Sequence, residues 1–177
     1  MAINIPFTAQ GSVPRTLFDI IRLEAGQGDL PKSSQLLGAS LALYGLGEAW
    51  EQYFEHSLPG SLIYGLLTTA LLAGITWGVM KFTGEMQRFT KTLTALALTG
   101  AVAAAVFGLM HVLFSIALPP PLPTDKLLRF LLFPVFVWNA FMFAFLYRNA
   151  KLRPIPAFVT AAVFVLIVDA VMSPLLH

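Results

Sequence analysis

Three ionisable side chains inside apolar stretches are the first candidates for chemistry in this 177-residue chain. Glu48, His111 and Asp169 each lie in a segment that is otherwise rich in apolar residues. Such a set could form a structural network of salt bridges and hydrogen bonds, relay protons near neutral pH, or bind a divalent metal ion with His56 as an outer ligand. Because polar contacts commonly join helices inside membranes, the structural network is the favoured interpretation.

The depths of these residues can be compared by counting back from the ends of their segments. Glu48, His111 and Asp169 lie six or seven residues before the expected segment ends. At about 1.5 Å per residue, all three would lie roughly 9 to 10 Å below the outer helix ends. We therefore predict that they meet in the outer half of a helical bundle. Asn139 extends this polar network, although a hydrogen bond to a backbone carbonyl freed by Pro134 is its simpler expected role.

The composition predicts an integral membrane protein. The chain is 57% hydrophobic and 11% charged, with a mean hydropathy of +0.76, whereas soluble domains average about 25% charged residues. There is no cysteine, which excludes disulfides, thiolate metal sites and cysteine nucleophiles. The net charge of +2 and the lack of a basic run argue against a nucleic-acid partner.

Hydropathy predicts an all-α fold, a polytopic bundle of five transmembrane helices. The predicted helices are 33–54, 61–80, 92–118, 125–147 and 155–176. In the third of them Gly100, Ala104 and Gly108 share one face with His111, so this face is expected to pack inside the bundle. Gly74 and Gly78 have the same small-residue spacing and predict a second packing site.

The first 32 residues are predicted to form a cytoplasmic segment that contains a short amphipathic helix. Its apolar residues are Leu17, Phe18, Ile20 and Ile21. One interpretation places this helix on the membrane surface. The alternative docks it on the cytoplasmic face of the protein itself.

The basic residues predict the orientation in the membrane. Of the 11 lysines and arginines, nine lie in the segments that precede the first helix, join the second to the third, or join the fourth to the fifth. Lys126 and Arg129 lie on the other side. The positive-inside rule therefore places the N-terminus in the cytoplasm and the C-terminus in the periplasm of a bacterial inner membrane.

Two stretches add a family resemblance to this architecture. They are FDIIRLEAGQGDLPKSSQLL before the first helix and RFTKTLTALALTGAV at the start of the third. With five spans and a cytoplasmic N-terminal segment, the chain resembles small bacterial membrane proteins of the Yip1 family. The resemblance implies a five-span fold, without an assigned enzymatic role for the bacterial members. Eukaryotic members act in vesicle traffic with small GTPases, so a membrane-shaping or lipid-organising role is one implied alternative.

No catalytic motif is present: the sequence contains no GxSxG, HExxH, Walker loop or GxGxxG. The favoured interpretation is a non-enzymatic accessory, scaffold or assembly subunit that packs against a larger membrane complex. A small transporter or proton-conducting channel that uses Glu48, His111 and Asp169 is the main alternative. The expected partners are the lipid bilayer and either other integral membrane proteins or further copies of the chain. No cofactor is predicted; a bound lipid is expected, and the phenylalanine-rich fourth helix could dock a quinone or pigment.

Overall fold

The computed structural model describes residues 12–54, 57–117 and 124–172, and over these ranges it contains helices and no strand. The helices are α1 (Val13–Ile21), α2 (Ser34–Gln52), α3 (Leu58–Thr83), α4 (Phe89–Ala117), α5 (Thr124–Asn149) and α6 (Pro154–Met172). Short 3-10 turns cover Gln27–Asp29 and Met86–Arg88. The predicted all-α fold class is confirmed.

Three helical stretches are long and apolar enough to cross a membrane, as an integral membrane protein requires. They are Leu58–Thr83, Met86–Ala117 and Phe130–Asn149. A shorter apolar stretch, Pro154–Phe164, begins α6. α2 has 19 residues, but Glu48 and Glu51 lower its hydropathy, and it is not one of the three stretches apolar enough to cross a membrane.

Two helices, α3 and α4, begin three residues earlier than the sequence predicts. α3 begins at Leu58 rather than at residue 61, and it places Pro59 in its first turn. A proline fits there because the first N–H groups of a helix have no intrahelical acceptor. α4 begins at Phe89 rather than at Thr92, directly after the 3-10 turn.

α2 and α4 lie side by side and run in the same direction. At intervals of three or four residues, a residue of the α2 segment contacts a residue about 57 positions later on α4, and this offset is kept along the whole contact. The pairs are Tyr44 with Gly100, Gly47 with Ala104, Trp50 with Gly108, and Phe54 with His111. The small face predicted on α4 is therefore the surface against which α2 packs.

α3 crosses α2 at two glycines. A Cβ atom on Gly65 would meet the carbonyl oxygen of Gly45 and would lie 3.1 Å from the Cβ of Ala49. On the other helix, a Cβ on Gly45 would lie 2.8 Å from the Thr69 hydroxyl. The backbones of α2 and α3 can approach this closely only because neither helix carries a side chain at the crossing.

The remaining helices complete the bundle around α4. α4 contacts α2, α3 and α5, while α6 contacts α5 and α3. We call the end that carries the loops 84–88 and 150–153 the basic end. The core is densest towards this end, where residues 92–100 of α4 are all buried. Leu146 and Tyr147 of α5 are fully buried there as well.

α1 is also part of the basic end. It contacts α4, and its Ile20 side chain is fully buried in the main core. Leu17 and Ile21 are partly buried, whereas Phe18 is 58% exposed. Through Ile20 the helix docks on the protein itself, which is the second of the two placements that the sequence allowed.

Candidate functional site

Glu48 is held by a neighbouring tyrosine on its own helix. Tyr44 lies one turn earlier on α2 and donates a hydrogen bond to the Glu48 carboxylate. Glu51 and Tyr64 of α3 are close enough to interact electrostatically with this pair. The polar group thus comprises two carboxyls and two tyrosines, contributed by α2 and α3.

His111 belongs to a different part of the bundle. Its imidazole stacks on the ring of Phe54, with centroids 4.4 Å apart and an interplanar angle of 15°. Because Phe54 is level with His111, Glu48 lies six residues lower, or about 9 Å along the helix axis. The prediction that Glu48 and His111 share one depth is wrong, because α4 continues beyond the end of α2.

The side chains of Asp169 and His56, two other members of the predicted network, are not described by the structure. Asp169 is in α6, but its side chain is not among those the structure describes, and neither is any part of His56. The meeting of Asp169 with Glu48 or His111 stays a prediction. Over the described ranges, no three His, Asp or Glu side chains are grouped so that they could hold a metal ion.

Asn139 lies on the buried face of α5. It precedes Phe143 and Tyr147 at intervals of four residues, which places the three side chains on one side of the helix. The Asn139 Oδ1 atom is buried, and no donor among the described residues bonds to it. A hydrogen bond to a backbone carbonyl would use Nδ2 instead, so that expected role stays a prediction.

A buried hydrogen bond that the sequence did not predict joins α3 to α5. The Thr76 and Tyr147 hydroxyls are 2.9 Å apart, and both side chains are fully buried. Four other threonines instead bond the carbonyl four residues earlier in their own helix: Thr68, Thr69, Thr94 and Thr99. The sequence feature that could have indicated a buried Tyr147 is its spacing of eight residues from Asn139, which places both side chains on one face of α5.

Removing one partner of this bond is expected to cost more than removing both. Thr76→Val leaves the buried Tyr147 hydroxyl without a partner, which should lower the free energy of unfolding by about 1–3 kcal/mol. Adding Tyr147→Phe should recover part of that loss, measured by equilibrium unfolding in detergent. Thr160→Val is the matched control, because the exposed Thr160 hydroxyl bonds only to Pro156 of its own helix. Strict additivity of the two core substitutions would contradict the pairing.

The predicted packing role fits the glycines of α4 but not those of α3. Gly100, Ala104 and Gly108 face Tyr44, Gly47 and Trp50 of α2. In contrast, nothing in the described part of the chain lies within 4 Å of a Cβ placed on Gly74 or Gly78. No described residue therefore packs at the predicted second site.

An ionic cluster closes the basic end. The Glu85 carboxylate lies 3.1 Å from Arg88 and 3.2 Å from Lys151, so it links the α3–α4 loop to the α5–α6 loop. Arg88 also donates to the backbone carbonyl of Asn149 at 3.3 Å. The Lys91 ammonium donates to the Gly28 carbonyl at 2.7 Å, which ties the N-terminal segment to α4. Arg88, Lys151 and Lys91 thus each contact an acceptor of the protein and hold the loops of this end together.

No family, curated protein or solved structure matches this chain in the comparisons with known proteins. The resemblance to the Yip1 family stays a prediction. What the site offers chemically is a carboxyl–tyrosine pair on α2, a stacked histidine on α4 and a buried hydroxyl pair between α3 and α5.

Proposed function

We propose that the chain is a five-span integral membrane protein that works by packing against other membrane proteins, as an accessory, scaffold or assembly subunit. Three of the spans are the helices that qualify by length and composition. The other two are α2 and α6. The case for them rests on their neighbours, because a helix that lies along a spanning helix is in the same layer of the membrane.

α2 follows α4 from Tyr44 beside Gly100 to Phe54 beside His111. Its 19 residues make it about 28 Å long, close to the thickness of the bilayer core. The acidic residue Glu48, which lowers its hydropathy, is bonded to Tyr44 within the bundle. Intramembrane carboxyls are tolerated in such positions, where the protein supplies their partners.

α6 lies along α5, as α2 lies along α4. It contacts α5 and α3, and the ring of Phe164 lies 5.6 Å from that of Phe143. The sequence count of nine cations against two then supports a cytoplasmic N-terminus and a periplasmic C-terminus.

The observation that carries the proposed role is an aromatic face on α5 and α6. We define this face as Phe130, Phe133 and Phe141 of α5 with Phe158 of α6. Phe130 is 77% exposed and Phe133 is 61% exposed, while the rings of Phe141 and Phe158 meet edge to face at 5.2 Å. The inward-facing Phe143 is, by contrast, almost fully buried.

An aromatic face of this kind favours a protein partner. Helices in membranes associate through close van der Waals packing rather than through a hydrophobic driving force. Phenylalanine offers a large, rigid contact area with two rotatable bonds, and aromatic side chains are enriched at protein–protein interfaces. The short loops and the lack of a catalytic motif fit the same role, in which the protein acts through its lateral surface.

Photocrosslinking in intact membranes tests this proposal. Replacing Phe133 by p-benzoylphenylalanine keeps an aromatic side chain at the centre of the aromatic face. We expect irradiation to give one adduct of defined mass with another membrane protein. Leu66 is the matched control position, because it is 71% exposed on α3, away from the aromatic face. Lipid adducts alone at both positions would contradict the proposal.

A further inference from the structure

The N-terminal strap, residues 12–33, has two different faces. Towards the bundle, Ile20 and Leu30 are buried in the main core, and Thr16 is buried beside them in the same segment. The Gly28 carbonyl accepts a hydrogen bond from Lys91. These contacts fix the strap at the basic end of the bundle.

The opposite face of the strap exposes apolar side chains. Phe18 is 58% exposed and Leu23 is 46% exposed, and the Arg22 guanidinium lies 5.6 Å from the centroid of the Phe18 ring. Leu23 has a left-handed backbone with φ of 63°, a conformation that is unfavourable for a leucine and that glycine adopts more readily. Exposed Phe and Leu beside an arginine form the pattern of a segment that lies in a lipid headgroup layer.

Other residues of the basic end mark this level of the bilayer. The Lys81 ammonium lies 4.6 Å from the centroid of the Trp77 ring, and Phe82 beside it is 94% exposed. Tryptophan and a snorkelling lysine are typical of the boundary between the hydrocarbon core and the headgroups. Because the strap docks on the start of α4, at the same end of the bundle, it lies near this boundary.

Charge then selects the kind of lipid. The described segments at the basic end carry nine cations and four anions, an excess of five positive charges. The cations are Arg15, Arg22, Lys32, Lys81, Arg88, Lys91, Arg148, Lys151 and Arg153, and the anions are Asp19, Glu24, Asp29 and Glu85. A net positive excess of this kind attracts anionic headgroups.

We propose that Phe18 and Leu23 insert, with Arg22, into the anionic headgroup layer of the bilayer that the protein spans, while Ile20 holds the strap to the bundle. The strap thus joins the basic end of the bundle to acidic phospholipid. This inference rests on the membrane embedding of the proposed function, but it does not require a protein partner.

Site-directed spin labelling tests the inference on the full-length protein. The chain has no cysteine, so single cysteines can be introduced without other changes. Phe18→Cys is the test position, Glu24→Cys is the control on the strap, and Phe82→Cys reports the bilayer itself. Each labelled variant is reconstituted into vesicles of phosphatidylcholine with phosphatidylglycerol, and collisions with oxygen and with an aqueous nickel reagent are compared.

We expect the label at position 18 to favour oxygen, as at position 82, while the label at position 24 favours nickel. In vesicles of phosphatidylcholine alone, we expect position 18 to shift towards nickel. If the label at position 18 favours nickel while the label at position 82 favours oxygen, the inference is overturned but the membrane embedding is not. A label at position 18 that is shielded from both reagents would overturn the inference in the same way. An unchanged signal in neutral vesicles would overturn the preference for anionic lipid. An aqueous signal at 82 as well would overturn the membrane embedding on which the inference rests.

Discussion

Gly65→Ala is expected to lower the free energy of unfolding by about 1–3 kcal/mol, the usual cost of overpacking a close contact. The new methyl group would meet the carbonyl oxygen of Gly45 and the Cβ of Ala49. Neither group can rotate away, because one is backbone and the other is the first atom of a side chain. The α2 and α3 helices must therefore move apart, which weakens the packing along the whole crossing.

Gly74→Ala is the matched control on the same helix. Nothing in the described structure lies within 4 Å of its Cβ position, and alanine has the higher helix propensity by up to about 1 kcal/mol. We expect this variant to be as stable as the native protein or slightly more stable. Equilibrium unfolding in mixed detergent micelles measures both variants under one condition. Equal stability of the two would show that α2 and α3 do not cross at Gly65.

Gly100→Ala is expected to destabilise the protein by a similar amount, about 1–3 kcal/mol, through a different contact. Its Cβ would lie 2.6 Å and 2.8 Å from two carbon atoms of the Tyr44 ring. The same Cβ would also lie 3.5 Å from the Phe143 ring, so this side of Gly100 is already filled. A shift of Tyr44 would also disturb the hydrogen bond that it donates to Glu48.

A double substitution separates this clash from a general effect on the α4 helix. Tyr44→Ala removes the ring, so Gly100→Ala should cost less in that background than in the native protein. Gly78→Ala, which meets open space, is the control for helix propensity. Additive effects of Tyr44→Ala and Gly100→Ala would contradict the register of α2 against α4. The single variants, the double variant and the Gly78→Ala control are all measured by equilibrium unfolding in mixed detergent micelles.

The sequence predicts the helices of this protein better than it predicts their contacts. Long apolar stretches specify α3, α4 and α5, and a small face specifies which side of α4 is packed. The same spacing in α3 has no described neighbour at Gly74 or Gly78, because a small-residue pattern does not say whether a neighbouring helix lies on that side. Only the arrangement of all the helices decides that.

The polar residues show a related limit. Counting from helix ends placed Glu48 and His111 at one depth, because it assumed that the first and third spans end together. α4 instead extends past α2, so His111 is level with Phe54 and stacks on it. The pair Thr76 and Tyr147 was missed because two hydroxyls 71 residues apart in the sequence give no local signal of their contact.

Purification of the tagged protein in mild detergent, followed by native mass measurement, tests the proposed function most directly. We predict a species heavier than the 19.3 kDa chain by the mass of a second protein in fixed ratio, which substitution of Phe130 and Phe133 by alanine should release. The control, Ile63→Ala with Leu66→Ala on α3, should leave that species intact. A monomer, or an oligomer of this chain alone, would contradict the role of an accessory subunit.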